Sequence, residues 1–189
     1  MGAKIDLPGR VTGTLALYDI HKRNVMVSEL VDGESVTRTA GKVRSQGVEL
    51  DLAGSLTRTL SLVGSYAYTD ARVTADPENR GNELTNVARH TAALFLTNDF
   101  GATGLLRAGI GARYVGRRPG DAANSFYLDD YTVADAFVAW TTPIDSYRVK
   151  WQVNVKNLFD STWYPSSGNN LRVTVGEPRE IVLKASVDF

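Results

Sequence analysis

The stretch YRVKWQVNVK, Tyr147 to Lys156, decides how the chain is read. Tyr147, Val149, Trp151, Val153 and Val155 fall on one side of an extended backbone. Arg148, Lys150, Gln152, Asn154 and Lys156 fall on the other. Strand side chains alternate with a period of two, so this segment predicts a strand with one apolar and one polar face. A strand of that kind sits between oil and water. Its length suits a tilted bilayer crossing, which takes about 9–11 residues.

The same alternation recurs on both sides of this segment. After it, Ile181, Leu183, Ala185, Val187 and Phe189 oppose Val182, Lys184, Ser186 and Asp188. Before it, Leu106, Ala108, Ile110, Ala112 and Tyr114 oppose Arg107, Gly109, Gly111 and Arg113. Around Gly47, Val48, Leu50 and Leu52 oppose Glu49 and Asp51. Residues 10–20 are apolar on both faces and are read as a strand from their neighbours. Eight strands and a partial one, residues 3–7, are expected.

Composition removes several function classes. The chain has 189 residues, 21 Lys plus Arg and 21 Asp plus Glu, so its net charge gives no general pull toward nucleic acid. The absence of cysteine excludes disulfides, thiolate metal sites and cysteine nucleophiles. With two histidines, His21 and His90, a three-histidine centre is excluded as well. No apolar run is long enough for a transmembrane helix, but transmembrane strands escape that test. The first residues, Met1-Gly2-Ala3-Lys4-Ile5, form no apolar signal-peptide region.

The connections sharpen the reading. Short turns are expected at residues 7–10, 54–57, 101–104 and 143–146. Long polar connections are expected at 29–41, 73–86, 118–129 and 160–178. Short and long alternate strictly, as they do when periplasmic turns are short and extracellular loops long. Phe100, Trp140, Tyr147 and Phe189 fall beside the short turns or at the chain end. Tyr66, Tyr68 and Tyr114 fall nearer the long loops. These are the positions of two interfacial aromatic girdles.

Six stretches, in order, resemble motifs of TonB-dependent outer-membrane receptors. GKVRSQGVELDL (41–52) resembles their "R-S-x-G-x-E-x-E/D" strand, and SLVGSYAYTDAR (61–72) the tyrosine-rich strand that follows. NVARHTAAL (86–94) is similar to their "N-x-P-x-H" stretch, with Ala88 where proline is usual. YTVADA (131–136) resembles "Y-x-x-x-D". NVKNLFD (154–160) with Trp163-Tyr164 resembles "N-x-x-N-L-F-D-x-x-Y-Y". GEPR (176–179) and Phe189 resemble the "G-x-P-R" element and the final aromatic.

This resemblance covers nearly the whole chain and carries the flavour of a ferrisiderophore receptor. It implies an all-β, antiparallel, up-and-down transmembrane barrel segment in the cell outer membrane. Residues 1–189 would form the C-terminal part of a receptor barrel, without the N-terminal plug domain. An open curved sheet is expected, with unpaired edges at residues 3–7 or 10–20 and at 180–189. The implied partners are a ferric siderophore, TonB acting through the missing N-terminal region, outer-membrane lipid and the barrel assembly machinery. Phe189 is implied as the assembly signal.

Candidate site residues are few. Arg117 and Arg118 open one long loop and Arg172 lies in another. Their planar forks suit anionic ligands, so all three are candidate substrate contacts. The competing reading is solvated loop charge or contact with anionic lipid heads. Asn157 and Asp160 read as residues that satisfy backbone groups where a strand ends. Gly109-x-Gly111 lies inside a strand and is no phosphate loop; its small residues let neighbours approach closely. No catalytic, cofactor or metal residue is expected. Two other functions stand beside transport: a small stand-alone outer-membrane barrel of the lipase or protease kind, and a soluble β-rich binding domain. The first needs a nucleophile motif that His90 lacks around it. The second would leave long apolar faces uncovered.

Overall fold

The computed structural model describes residues 1–7, 10–31, 34–101, 105–145 and 147–188, with 27–40 and 188 described by backbone alone. The strands are β1 (Gly2–Leu7), β2 (Val11–Val31), β3 (Glu34–Ser55), β4 (Leu60–Ala75), β5 (His90–Phe100) and β6 (Leu106–Val115). After these come β7 (Arg118–Pro119), β8 (Tyr127–Leu128), β9 (Tyr131–Ile144) and β10 (Tyr147–Lys156). The last three are β11 (Ser166–Asn169), β12 (Arg172–Thr174) and β13 (Glu180–Asp188).

Nine of them form one antiparallel meander in the order β1-β2-β3-β4-β5-β6-β9-β10-β13. The hairpins β7–β8 and β11–β12 lie inside two of the long loops, those after β6 and β10. Among the described residues the two outer strands, β1 and β13, do not pair with each other, so the sheet is open at the two edges expected.

The register sorts the side chains by face. Ile181, Val155, Ala136, Ile110, Leu96 and Leu62 stand opposite one another along one row across the sheet. Three residues along each strand, Lys184, Gln152, Ala139, Arg107 and Asp99 make a row on the other face. There Arg107 Nε donates to Asp99 Oδ1 at 2.6 Å. Leu94, Ile110 and Leu183 are 49%, 50% and 64% exposed, so the apolar face has no second protein layer to cover it. Hydrocarbon supplies that cover in a membrane, where a closed ladder of strands satisfies the backbone.

Both girdles lie on this apolar face. Phe100, Leu106, Trp140 and Trp151 are register neighbours, and the two indoles stack with centroids 6.5 Å apart. Toward the loops, Leu50, Tyr66, Ala92, Tyr114 and Thr132 share a row. Trp140 and Thr132 are eight residues apart on β9. That is about 26 Å of strand, or about 20 Å along the normal at a tilt of ~40°. Tyr66 Oη and His90 Nδ1 are hydrogen-bonded at 2.9 Å, at the same boundary. Phe189 lies outside the described residues.

One expected loop is corrected. Residues 29–41 are not a long polar connection, because β2 and β3 stay paired from Val11↔Gly54 to Val31↔Glu34. The β-branched residues of this stretch, Val31, Val36, Thr37 and Thr39, with Val25 and Val27 just before it, favour extended backbone over loop. A register shift at Arg23/Val25 marks where the hairpin continues past the level of its neighbours. The partial strand 3–7 is a true ladder member, with Leu7 facing Val11 and Gly2 facing Ala16.

The Gly109-x-Gly111 pair has a defined use. Both glycines lie on the polar face beneath two stacked rings, Phe95 and Phe137, whose centroids are 6.0 Å apart. A Cβ at either glycine would overlap a ring. The glycines therefore let the rings lie on the backbone, as in the aromatic rescue of strand glycines.

Candidate ligand site

Beyond the loop-side girdle, the polar face of the sheet is roofed by the connection between β10 and β13. Lys156 ends β10, and Asn157 turns the chain with a left-handed φ of 47° that asparagine tolerates. Asn157 is 3% exposed. Its N donates to Asp135 Oδ1 at 2.8 Å, its Nδ2 to the carbonyls of Ser161 at 2.9 Å and Glu177 at 3.1 Å, and its Oδ1 accepts from Ser161 N at 2.9 Å. Asp160 Oδ1 accepts from Arg179 N at 2.8 Å. Both residues thus hold the loop's backbone in place, in keeping with the sequence reading.

This anchoring lays Trp163 over the polar face. Trp163 packs against Tyr131, with centroids 4.8 Å apart, and its Nε1 donates to the Glu177 carbonyl at 3.3 Å. Gly176 must be glycine, since a Cβ there would enter the indole. Arg113 Cζ stands 5.1 Å from the Trp163 ring and Arg118 Cζ 5.1 Å from the Tyr131 ring. Two cations therefore bracket two rings. Cation–ring pairs of this kind contribute about 0.5–2 kcal/mol each.

Below Trp163 lies a 430 Å³ cavity that Arg113, Asp135, Lys156, Trp163, Pro165 and Val175 help to line. It offers a flat ring, the cationic groups of Arg113 and Lys156, the acidic residues Asp135 and Glu177, and a small apolar wall. Lys156 is paired with Glu180, Nζ to Oε2, at 2.7 Å. Arg113 has no carboxylate partner among the described residues. Chemically, this suits a chelate that lays a planar face on Trp163 and turns an anionic edge to Arg113.

The three candidate arginines have different surroundings. Arg117 is exposed and lies 4.2 Å over the Tyr127 ring. Arg172 is exposed on β12. Arg118 departs from the expected loop surface: it is 1% exposed. Its Nη1 donates to the carbonyls of Gly116 at 3.4 Å and Asp129 at 3.3 Å, and its Nη2 to that of Tyr164. Burial without a carboxylate pushes its guanidinium below the ordinary arginine range. Arg118 therefore ties its own loop to the β10–β13 loop.

Other loop ties add to it. Asn124 mirrors a backbone strand against Glu83, accepting from its N at 2.9 Å and donating to its carbonyl at 3.0 Å. Asn82 Nδ2 donates to the Ala122 carbonyl at 2.9 Å. The loops after β4, β6 and β10 so form one hydrogen-bonded cap. Sequence reasoning missed the cap and the Trp163 site. The signal that was available is Trp163 with Gly176, read only as family motifs.

An open meander with an apolar belt, two aromatic rows and a polar concave side defines a section of a transmembrane β-barrel wall. The chain belongs to the TonB dependent receptor-like β-barrel family, whose model matches residues 2–158. It is a receptor-barrel chain of the cell outer membrane. It is 40% identical over 194 residues to the metal-pseudopaline receptor CntO of Pseudomonas aeruginosa, covering 100% of this chain and 27% of that protein. It is 35% identical over 191 residues to the ferrichrome outer membrane transporter/phage receptor of Escherichia coli, covering 97% and 25%. The siderophore receptor PiuA of Acinetobacter baumannii superposes with a TM-score of 0.83 at 25% identity, over 97% of this chain and 27% of that one. The chain spans about a quarter of these relatives. They are receptors and transporters, not enzymes.

Proposed function

We propose that this chain is the C-terminal part of a receptor barrel that takes up a ferric siderophore or a similar metal chelate, driven by TonB. The observation that carries the reading is the Arg113–Trp163–Tyr131–Arg118 stack over the polar face. It sets cationic and aromatic groups at the loop end of the sheet, where an incoming anionic chelate would arrive. Relatives whose names give metal-pseudopaline and ferrichrome as ligands support the same class. Arg117 and Arg172 are the outer contacts in this reading. Arg118 serves the ligand through Tyr131 and the loops it holds.

The open edges at β1 and β13 are closed by further strands of the complete receptor, which also supplies the plug and the TonB contact. Phe189 is the anchor read by the barrel assembly machinery, by strand addition along the β13 edge. Outer-membrane lipid covers the apolar face. The test is uptake of radiolabelled iron by cells whose sole receptor of this type carries these strands. The panel is ferrichrome, ferrioxamine B and a pseudopaline-type chelate, with and without TonB. TonB-dependent uptake of at least one supports the reading. Uptake of none, or uptake independent of TonB, contradicts it.

A further inference from the structure

The short-turn end of the sheet, on the periplasmic side, carries a recess that the transport reading does not use. A 520 Å³ cavity there is lined by Arg10, Ser55, Thr57 and Arg58. Arg10 enters β2, and the other three belong to the connection from β3 to β4. The lining is two guanidinium groups and two hydroxyls, with no carboxylate. Both arginines are exposed, and among the described residues neither has a carboxylate partner.

The backbone beneath the recess is built to hold it. Among the described non-glycine residues with a left-handed φ, Arg10, at 69°, is the one that is neither asparagine nor aspartate. A bulky side chain is costly in that conformation, and asparagine or glycine would avoid the cost. The strain is kept where the side chain has a use. The neighbouring turn pins the position: Ser55 N donates to the Arg10 carbonyl at 3.3 Å. Gly54, at φ 152°, permits this approach, because a Cβ there would strike that carbonyl. Thr57 fixes the turn that carries Arg58. Its Oγ1 accepts from Thr59 N at 3.2 Å and from Leu60 N at 3.0 Å.

Face and spacing select the ligand. Ser55 has the strand parity of Glu49 and Asp51 on the polar face, whereas Leu56 has that of Leu50 and Leu52 on the apolar face. The recess therefore opens on the water side of the rim, away from lipid headgroups. Its two arginines come from turns two strand spacings apart, about 10 Å. The cavity is far larger than a single phosphate. Carboxylates at i and i+2 of an extended peptide stand about 7 Å apart on one side. Each can take one guanidinium fork, and the hydroxyls of Ser55 and Thr57 can meet the backbone between them.

We infer that Arg10, Arg58, Ser55 and Thr57 form a docking recess for an extended acidic segment of a periplasmic protein, with carboxylates at alternate positions. The inference rests on the outer-membrane placement and is independent of which chelate is transported.

The test uses the complete receptor that carries these strands, in phosphatidylcholine nanodiscs. The probe is a fluorescein-labelled Ser-Glu-Ser-Glu-Ser peptide, followed by anisotropy at low ionic strength, where exposed charges are least screened. Wild type should bind it about tenfold more tightly than R10Q/R58Q does. R10N/R58Q should show the same loss, and its asparagine suits the left-handed backbone, so its barrel should keep the heat-modifiable mobility of the folded state. R148Q/K150Q removes equal charge elsewhere on the polar face and should bind as wild type does. Unlabelled Ser-Gln-Ser-Gln-Ser should not compete. Wild-type binding by R10N/R58Q, equal loss in R148Q/K150Q, or competition by the glutamine peptide would each overturn the inference. So would displacement by equimolar inorganic phosphate or by phosphatidylglycerol in the disc. Stronger competition by a soluble murein tetrapeptide would assign the recess to the cell wall and overturn it as well.

Discussion

Asn86 and Ser167, 81 residues apart, hold each other by two reciprocal hydrogen bonds. Asn86 Nδ2 donates to the Ser167 carbonyl at 2.8 Å, and Ser167 N donates to Asn86 Oδ1 at 2.9 Å. The side chain thus acts as one more rung of backbone pairing between the loop after β4 and the loop after β10. Asn86 can do so because it sits at φ 62°, a left-handed conformation that asparagine adopts more readily than other side-chain residues. Its N also donates to the Pro119 carbonyl at 2.9 Å, which brings the third loop into the same knot.

Asn86→Ala should therefore loosen all three loops together. Two buried backbone groups lose partners, at about 1–3 kcal/mol each. Hydrogen exchange should rise across 76–89, 116–130 and 160–178 in parallel, while the strands keep their protection. A rise confined to 76–89 would show that the loops are independent.

Gly111→Val should destabilise the barrel by about 1–3 kcal/mol, because its branched side chain meets the Phe95 ring on the polar face. Phe95→Ala in the same chain should recover most of that loss. Urea unfolding of the two single variants and the double variant measures the coupling. Additive losses would mean that the ring and the glycine do not share space.

Trp163→Ala should weaken chelate uptake, since it removes the ring between Arg113 and Tyr131. About 1–2 kcal/mol of cation–ring attraction corresponds to roughly a tenfold rise in the half-saturating concentration. Trp163→Phe should retain most of the affinity. If Trp163→Ala transports with an unchanged half-saturation, the cavity beneath it is not the ligand site.

Much of this architecture is legible in the residues. The alternation at Tyr147–Lys156 and 106–114 gives the strands and their faces, because one side must meet hydrocarbon. The close approach allowed by Gly109 and Gly111 is legible too, though not which rings use it. The extension of β2 and β3 was hidden by the charged and small residues around 29–41, which look like loop although the ladder carries them. The candidate ligand site was hidden for another reason. Arg118 and Arg117 are adjacent in sequence, yet one turns inward onto carbonyls and the other outward onto Tyr127, a choice made by loops 46 residues away.

Phe189 offers a separate test of biogenesis. In the complete receptor, deleting it should reduce the heat-modifiable, assembled fraction far more than Phe189→Tyr does, because tyrosine keeps a large ring at the anchor position. Wild-type yield from the deletion would end the assembly-signal proposal and leave the barrel assignment intact.

The most direct measurement of the central claim compares two neighbouring residues of β10. Val153 stands between Val138 and Leu183 on the apolar face, and Gln152 between Ala139 and Lys184 on the polar face. Val153→Lys puts a charge into hydrocarbon between the midplane and the Trp140 girdle, at about 1–3 kcal/mol. Gln152→Lys meets only the like charge of Lys184 in water, at under about 1 kcal/mol. Unfolding of the complete receptor in lipid bilayers should show that order, with Val153→Lys the costlier by at least about 1 kcal/mol. Equal costs at the two positions, or a larger cost at Gln152, would contradict the assignment of this sheet to a membrane-spanning barrel wall.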